Sequence, residues 1–308
     1  MPGSCTRNRP SETGRARDDG RVQKSMVKTY DKPFLLCVGA QKSATSWVAE
    51  MMRTKTPVWV GAFKEFHYFD RYSEIPSVRV NGDKRFHDRF KRLTSELPGM
   101  RDVARNRLIW LMDRLLIDSD EDYAEYITRY SSAAPAAADF TPEYATLPQV
   151  AFERMKAVLP NATALYMMRD PVARAWSGAK HRVSFIKSDE PILTDLDRFL
   201  RFLDEPLIKA FADYPTTMQR LQKTFPEARI GFYEEILESD ETALAFINVL
   251  LGDLGFDPLE DASDIRRQVY AGQSKSMPEA WVPVIREKLD PVYKGLSDMG
   301  LEVPKTWL

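Results

Sequence analysis

Lys42 stands three residues after Gly39 in the run Gly39-Ala40-Gln41-Lys42-Ser43-Ala44-Thr45-Ser46-Trp47. A lysine ammonium and several backbone N–H groups gathered in one loop can neutralise a phosphate or sulfate. A helix beginning at the same place adds the positive end of its dipole. The usual nucleoside-triphosphate loop is G-x-x-x-x-G-K-[ST]. Here the lysine follows the first glycine too closely and the second glycine is missing, so a loop serving one terminal phosphate fits better.

Two further groups of residues have chemical potential. Lys64-Glu65-Phe66-His67-Tyr68-Phe69-Asp70 sets a base, an acid and an imidazole among aromatics. If the segment is extended, Glu65 and His67 share a face and Lys64 points away. A carboxylate in aromatic surroundings can be pushed up in pKa and act as a general base. Downstream, Leu165-Tyr166-Met167-Met168-Arg169-Asp170-Pro171-Val172-Ala173-Arg174-Ala175-Trp176-Ser177 reads as a strand running into a helix, with Asp170 as cap and Pro171 in the first turn. Arg169 then stands at the strand's carboxyl end, and an arginine fork with the Ser177 hydroxyl can hold a second phosphate. Each group alone also has an ordinary reading: a strand–helix turn, a solvated charge pair, an arginine paired with a neighbouring carboxylate.

The elements that must position these residues follow from hydrophobic patterning. Strands are expected at Phe34–Val38, Val58–Val60, Ala136–Phe140, Ala162–Met168 and Arg229–Tyr233. Helices are expected at Ser46–Arg53, Tyr123–Tyr130, Leu147–Val158, Val172–Ile186, Thr216–Phe225, Glu241–Leu251 and Pro278–Leu296. Strands alternating with helices imply an α/β fold with a mainly parallel sheet, whose ligands bind outside the carboxyl ends of the strands. The loops after Val38 and Met168 are two such ends. Residues 71–122 are charged and helix-prone and read as a helical insertion.

Composition narrows the function. The 308 residues carry a net charge of -1, which argues against general nucleic-acid binding. No apolar run approaches the roughly 20 residues that span a bilayer, so no membrane role is expected. Residues 1–31 are polar and read as a disordered extension without a signal peptide. Cys5 and Cys37 have no metal or redox spacing, and Cys37 reads as a buried thiol of a cytoplasmic protein. His67, His87 and His181 are too scattered for a metal site.

Taken together, the motifs resemble the PAPS-dependent sulfotransferases (PAPS is 3′-phosphoadenosine 5′-phosphosulfate), closest to the heparan-sulfate and related carbohydrate branch with its bacterial relatives. Gly39 to Ser46 is similar to that family's 5′-phosphosulfate loop. Lys64 to Asp70 is similar to its K-E-x-H-F-F-D segment, and Thr141-Pro142-Glu143-Tyr144 to its S/T-P-x-Y segment. Met168 to Ser177 resembles its 3′-phosphate signature, and Tyr270-Ala271-Gly272-Gln273-Ser274-Lys275-Ser276 its late cofactor loop. The likeness spans roughly residues 33 to 300.

The resemblance implies a P-loop-like three-layer fold, a central sheet flanked by helices, in one domain over residues 32–308. It implies in-line sulfuryl transfer from PAPS to a hydroxyl, with an amine as second choice, on a carbohydrate or other small-molecule acceptor. The product is 3′,5′-ADP and no metal is required. Lys42 is expected at the leaving oxygen, with Gln41, Ser43, Ala44, Thr45, Ser46 and Trp47 completing the cradle. Glu65 is expected as base, with His67 as reserve or orienter. Arg169 and Ser177 are expected on the 3′-phosphate, helped by Lys275 and Ser276, with Tyr233 flanking the adenine. Ala44 replaces the usual glycine, so its backbone is expected to avoid positive φ. Phe140 stands where several carbohydrate enzymes carry lysine, which with the neutral net charge argues against a strongly anionic polysaccharide. An ATP-dependent P-loop kinase and a non-catalytic nucleotide-binding protein are the alternatives.

Overall fold

A computed structural model describes residues 28–61, 63–95, 102–261, 263, 265–266 and 275–307. Four parallel strands, β1 (Phe34–Gly39), β2 (Ala137–Phe140), β3 (Ala162–Met168) and β4 (Arg229–Phe232), form one sheet in the order β2-β1-β3-β4. All of β1 is buried, as a sheet covered on both faces requires of a central strand, and the edge strand β2 is buried as well, with Trp59 bridged to its Ala137. The helices are α1 (Thr45–Lys55), α2 (Pro76–Ser95), α3 (Asp102–Leu115), α4 (Asp120–Tyr130), α5 (Gln149–Val158) and α6 (Pro171–Phe185). They continue with α7 (Leu196–Asp204), α8 (Pro206–Ala212), α9 (Tyr214–Thr224), the single turn α10 (Tyr233–Ile236), α11 (Asp240–Asp253) and α12 (Val282–Asp298).

The strands' period of two divides the core. Phe34, Leu36, Val38, Tyr166 and Met168 face one layer with α4, α5, α9 and the end of α12. Leu35, Cys37, Leu165 and Met167 face the other, packed on α1 and α11. Burial pushes the Cys37 thiol up to about 12, leaving it inert at neutral pH. Cys5 lies outside the described residues. A satellite cluster joins α6 and α7 to the start of α12 through Trp176, Phe199, Phe202 and Ile285. This three-layer arrangement is the α/β fold expected from the sequence.

Two expected strands change. Val58–Val60 contributes a single bridge, Trp59 beside Ala137, because Pro57 precedes it and Gly61, at φ 66, turns the chain away. Tyr233 opens α10 instead of ending β4. Segment 71–122 contains α2, α3 and the start of α4, where Ser119 and Asp122 form a capping box.

Candidate active site

The loop after β1 is shaped by backbone packing. A Cβ on Gly39 would stand 2.8 Å from the Ala145 Cβ and 3.1 Å from the Pro142 oxygen, so only glycine fits. Lys42 and Ala44 both adopt positive φ, 71 and 63. The expectation that Ala44 avoids this region is therefore wrong. Ala44 is the N-cap of α1 in the left-handed conformation, and the sharp entry into the helix outweighs a cost of about 1–2 kcal/mol. Its methyl group cannot cap, so the start of α1 has no side-chain cap bond. A helix start in that condition suits an anion.

Cations converge on this loop. Burial, then Arg169, Lys64 and Lys180, hold the Lys42 ammonium below its usual range. Arg169 NH1 donates to the Lys42 carbonyl at 3.4 Å, and its guanidinium carbon lies 4.3 Å from the Tyr233 ring centroid. Its Nε is buried without a partner among the described residues. Lys64 Nζ donates to Thr45 Oγ1 and Glu65 Oε1, each at 3.2 Å. Lys64 thus points into the site, contrary to the extended-strand expectation.

The cradle residues divide. Thr45 is buried against Lys64, and Gln41 and Ser46 are half-buried at the loop surface. Ser43, directly after Lys42, is wholly buried beside Tyr214. Trp47 is also buried and its indole donates to the Ile265 carbonyl at 2.5 Å, supporting the loop from the core. Ser177 is half-buried on α6, whose Asp170 cap accepts from the Ala173 amide at 3.1 Å. Trp176 donates to the Lys275 carbonyl at 3.0 Å, which brings the exposed Lys275 and Ser276 to α6. The rest of that late segment, Tyr270 to Ser274, lies outside the described residues. Tyr233 presents a face to Arg169.

The Lys64–Asp70 segment is not extended, since His67 has φ 53. Asp139 of β2 and Thr141 after it hold this backbone: the Phe66 amide donates to Thr141 Oγ1 at 3.0 Å and the His67 amide to the same oxygen at 3.4 Å, and Asp139 is the anchor behind them. It accepts from Thr141 Oγ1 at 2.6 Å, the Tyr144 and Tyr123 hydroxyls at 2.9 and 3.1 Å, and the Phe66 amide at 3.4 Å. Burial outweighs these bonds and raises its carboxyl to about 6. Arg114 Nε holds the Phe66 carbonyl at 2.7 Å from the other side. The pinned backbone turns His67 inward, with Nδ1 2.7 Å from Asp70 Oδ2 and Nε2 3.2 Å from Glu65 Oε2. Burial alone would lower the imidazole's pKa. The Glu143 carboxylate and the bonds to Asp70 and Glu65 outweigh it and raise it to about 10. His67 is an imidazolium at neutral pH and offers no lone pair to an acceptor.

Glu65, His67 and Glu143 bring ligand-type atoms within 4.8 Å of one another. With both ring nitrogens turned to carboxylates and protonated, this group is an ion network with its own cation. Glu65 keeps about 30% of its side chain exposed, against 3% for His67. The aromatics Phe66, Tyr68, Phe69 and Trp176 are core residues, each at most 6% exposed.

Sequence reasoning gave no role to Lys180, Asp139, Asp70 or Glu143. Lys180 had a signal: it lies one turn beyond Ser177 on the same helix face. Asp139 had none, because a buried acid in a short strand is visible only through the groups that surround it.

The sequence model of the sulfotransferase family matches residues 33–244, and the chain belongs to that family. The structure is similar to a sulfotransferase from Alicyclobacillus acidocaldarius, with a TM-score of 0.53 at 18% identity over 90% of this chain and 98% of that one. It is also similar to the sulfotransferase domain of the Synechococcus PCC 7002 olefin synthase, with a TM-score of 0.50 at 10% identity over 90% and 97% of the two chains. No curated protein matches the chain. Among the described residues, no helix is long and apolar enough to cross a membrane.

Proposed function

We propose that this sulfotransferase, acting as one unit over residues 32–308, uses PAPS as donor and sulfates a hydroxyl of a carbohydrate or other small molecule. The observation that carries the donor assignment is the buried, unpartnered Nε of Arg169 beside Lys42, with Lys64 and Lys180 adding charge. So much positive charge at an uncapped helix start requires an anionic ligand. PAPS supplies the activated sulfuryl group. Lys42, the first amides of α1 and the Thr45 and Ser46 hydroxyls hold the 5′ side and the bridging oxygen. Arg169, Ser177, Lys275 and Ser276 hold the 3′-phosphate.

Glu65 takes the acceptor proton as the acceptor oxygen bonds to sulfur and the bond from sulfur to the 5′-phosphate oxygen breaks. Electrostatic stabilisation at that oxygen is the task of Lys42. His67 is the weaker choice of base, because both ring nitrogens face carboxylates at hydrogen-bond distance, which favours the imidazolium. Its role is to orient Glu65.

Calorimetry with 3′,5′-ADP, 5′-AMP and magnesium-ATP tests this reading. The expected result is 3′,5′-ADP binding more than tenfold tighter than 5′-AMP, or about 1.4 kcal/mol. Equal affinities for the two would remove the 3′-phosphate site. Tighter binding of magnesium-ATP would favour the kinase alternative.

A further inference from the structure

The contact between His67 Nε2 and Glu65 Oε2, 3.2 Å, is attractive only if a proton lies between them. If Glu65 is the base, it must be ionised before reaction, so the proton belongs to His67. Asp70 at Nδ1 fixes a tautomer but does not by itself protonate Nε2. A second carboxylate is at hand. Glu143 is 6% exposed on the one-turn 3-10 helix Pro142–Thr146, and its ligand-type oxygen lies within 4.8 Å of both Glu65 and His67. That helix is held in place by the Tyr144 bond to Asp139 and by Thr146 Oγ1 on the Glu143 carbonyl at 2.8 Å.

We infer that Glu143 is a positioning residue: it keeps His67 in the doubly N–H-donating form that orients Glu65. This rests on Glu65 being the base. Buried Asp70 and Glu143 would each be costly as lone anions, and the imidazolium is their shared counter-ion. Glu143 also acts on Glu65 directly. Lys64 and the imidazolium both stabilise the Glu65 anion and so weaken it as a base, and a second carboxylate within 4.8 Å opposes them. Other charges near the ring, among the described residues, include Asp139, through the Phe66 amide, and Arg114, whose guanidinium lies 4.7 Å from the Phe86 centroid. That Phe86 ring meets the His67 ring edge-on at 6.3 Å.

The test is NMR of the full chain with labelled histidine, comparing wild type, Glu143→Gln and Glu143→Asp, alongside steady-state sulfuryl transfer. Glu143→Gln should lower the His67 titration by about one to three pH units. At pH values between the shifted and the wild-type titration, where only the variant's His67 has lost its second proton, it should lower kcat by roughly tenfold or more, with 3′,5′-ADP affinity unchanged. Glu143→Asp should restore most of both. An unshifted titration in Glu143→Gln overturns the role, as does equal loss of turnover in both variants with His67 still cationic, which marks Glu143 as a packing wedge. A wild type that binds no 3′,5′-ADP sinks the sulfotransfer reading instead, and the two failures are thereby told apart.

Discussion

The guanidinium of Arg169 lies over the ring of Tyr233, 4.3 Å from its centroid. The first residue after β3 and the first after β4 thus meet at the carboxyl edge of the sheet. Parallel strands β3 and β4 are neighbours, with Met168 in register with Phe232, so the residues that follow them emerge side by side. The aromatic face fixes an arginine whose Nε is otherwise unpartnered among the described residues.

Replacing Tyr233 by Leu should therefore weaken 3′,5′-ADP binding by about 2- to 30-fold, the value of one cation–π contact. Tyr233→Phe keeps the ring and should bind normally. Affinity for 5′-AMP should barely change in either variant. If Tyr233→Leu weakens both nucleotides equally, the ring stacks on adenine and does not act through Arg169.

Lys42→Ala should reduce turnover by roughly 10²–10³-fold while the protein stays folded. The lysine sits among other cations, and the proposed mechanism puts its charge on the leaving oxygen. Near-normal turnover in a folded variant would move that task to Lys64, whose ammonium reaches Thr45 of the same loop.

Glu65→Gln should lower transfer by roughly 10²–10⁴-fold and leave 3′,5′-ADP affinity intact, since glutamine keeps the shape but takes no proton at neutral pH. His67→Asn should be milder, because it removes the orienting donor and not the base. The reverse ranking in steady-state assays would transfer the base to His67.

The parallel sheet, its helices and the two ligand-side loops were legible because each rests on local pattern: β-type runs, a glycine at a strand end, an Asp-Pro helix start. The site's inner geometry was not. The positive φ of Ala44 and His67 and the inward turn of Lys64 come from long-range contacts. Asp139 pins Phe66 across 73 residues of sequence, and Gly39 is pressed against Ala145. Periodicity reports which face a residue takes within an element. It carries nothing about a loop whose backbone is bent by a buried carboxylate on a different strand.

Two buried groups should make stability fall with rising pH in separate windows. Asp139 ionises near 6 in the fold and at its ordinary, lower value unfolded. Between about pH 4 and 6 the native state holds more protons, so stability falls by about 3 kcal/mol and then levels. The folded His67 pKa, about 10, lies above its ordinary 6.5. Its contribution is complete below about 6.5 and is lost as pH rises through 10. Subtracting the melting curves of Asp139→Asn and His67→Asn from wild type should isolate each window. A flat difference across pH 4–6 for Asp139→Asn would show that the four hydrogen bonds outweigh burial.

Ala44 provides a test of the loop itself. At φ 63 and ψ 13 it holds a conformation that glycine adopts freely and alanine adopts at a cost of about 1–2 kcal/mol. Ala44→Gly removes that strain, but glycine also loosens the unfolded chain, which costs about 0.4–1 kcal/mol. The net should be a gain of up to about 1.6 kcal/mol, seen as a melting temperature higher by up to about 4 °C, with nucleotide affinity kept. Ala44→Val should do the opposite. A β-branched side chain resists the left-handed region, so the loop must open or the start of α1 must shift. In either case the lysine and the helix amides part, and 3′,5′-ADP binding should drop by tenfold or more, about 1.4 kcal/mol. Equal binding by the Gly and Val variants would mean that the left-handed turn at Ala44 is dispensable for holding the nucleotide. The cradle would then be built by side chains alone.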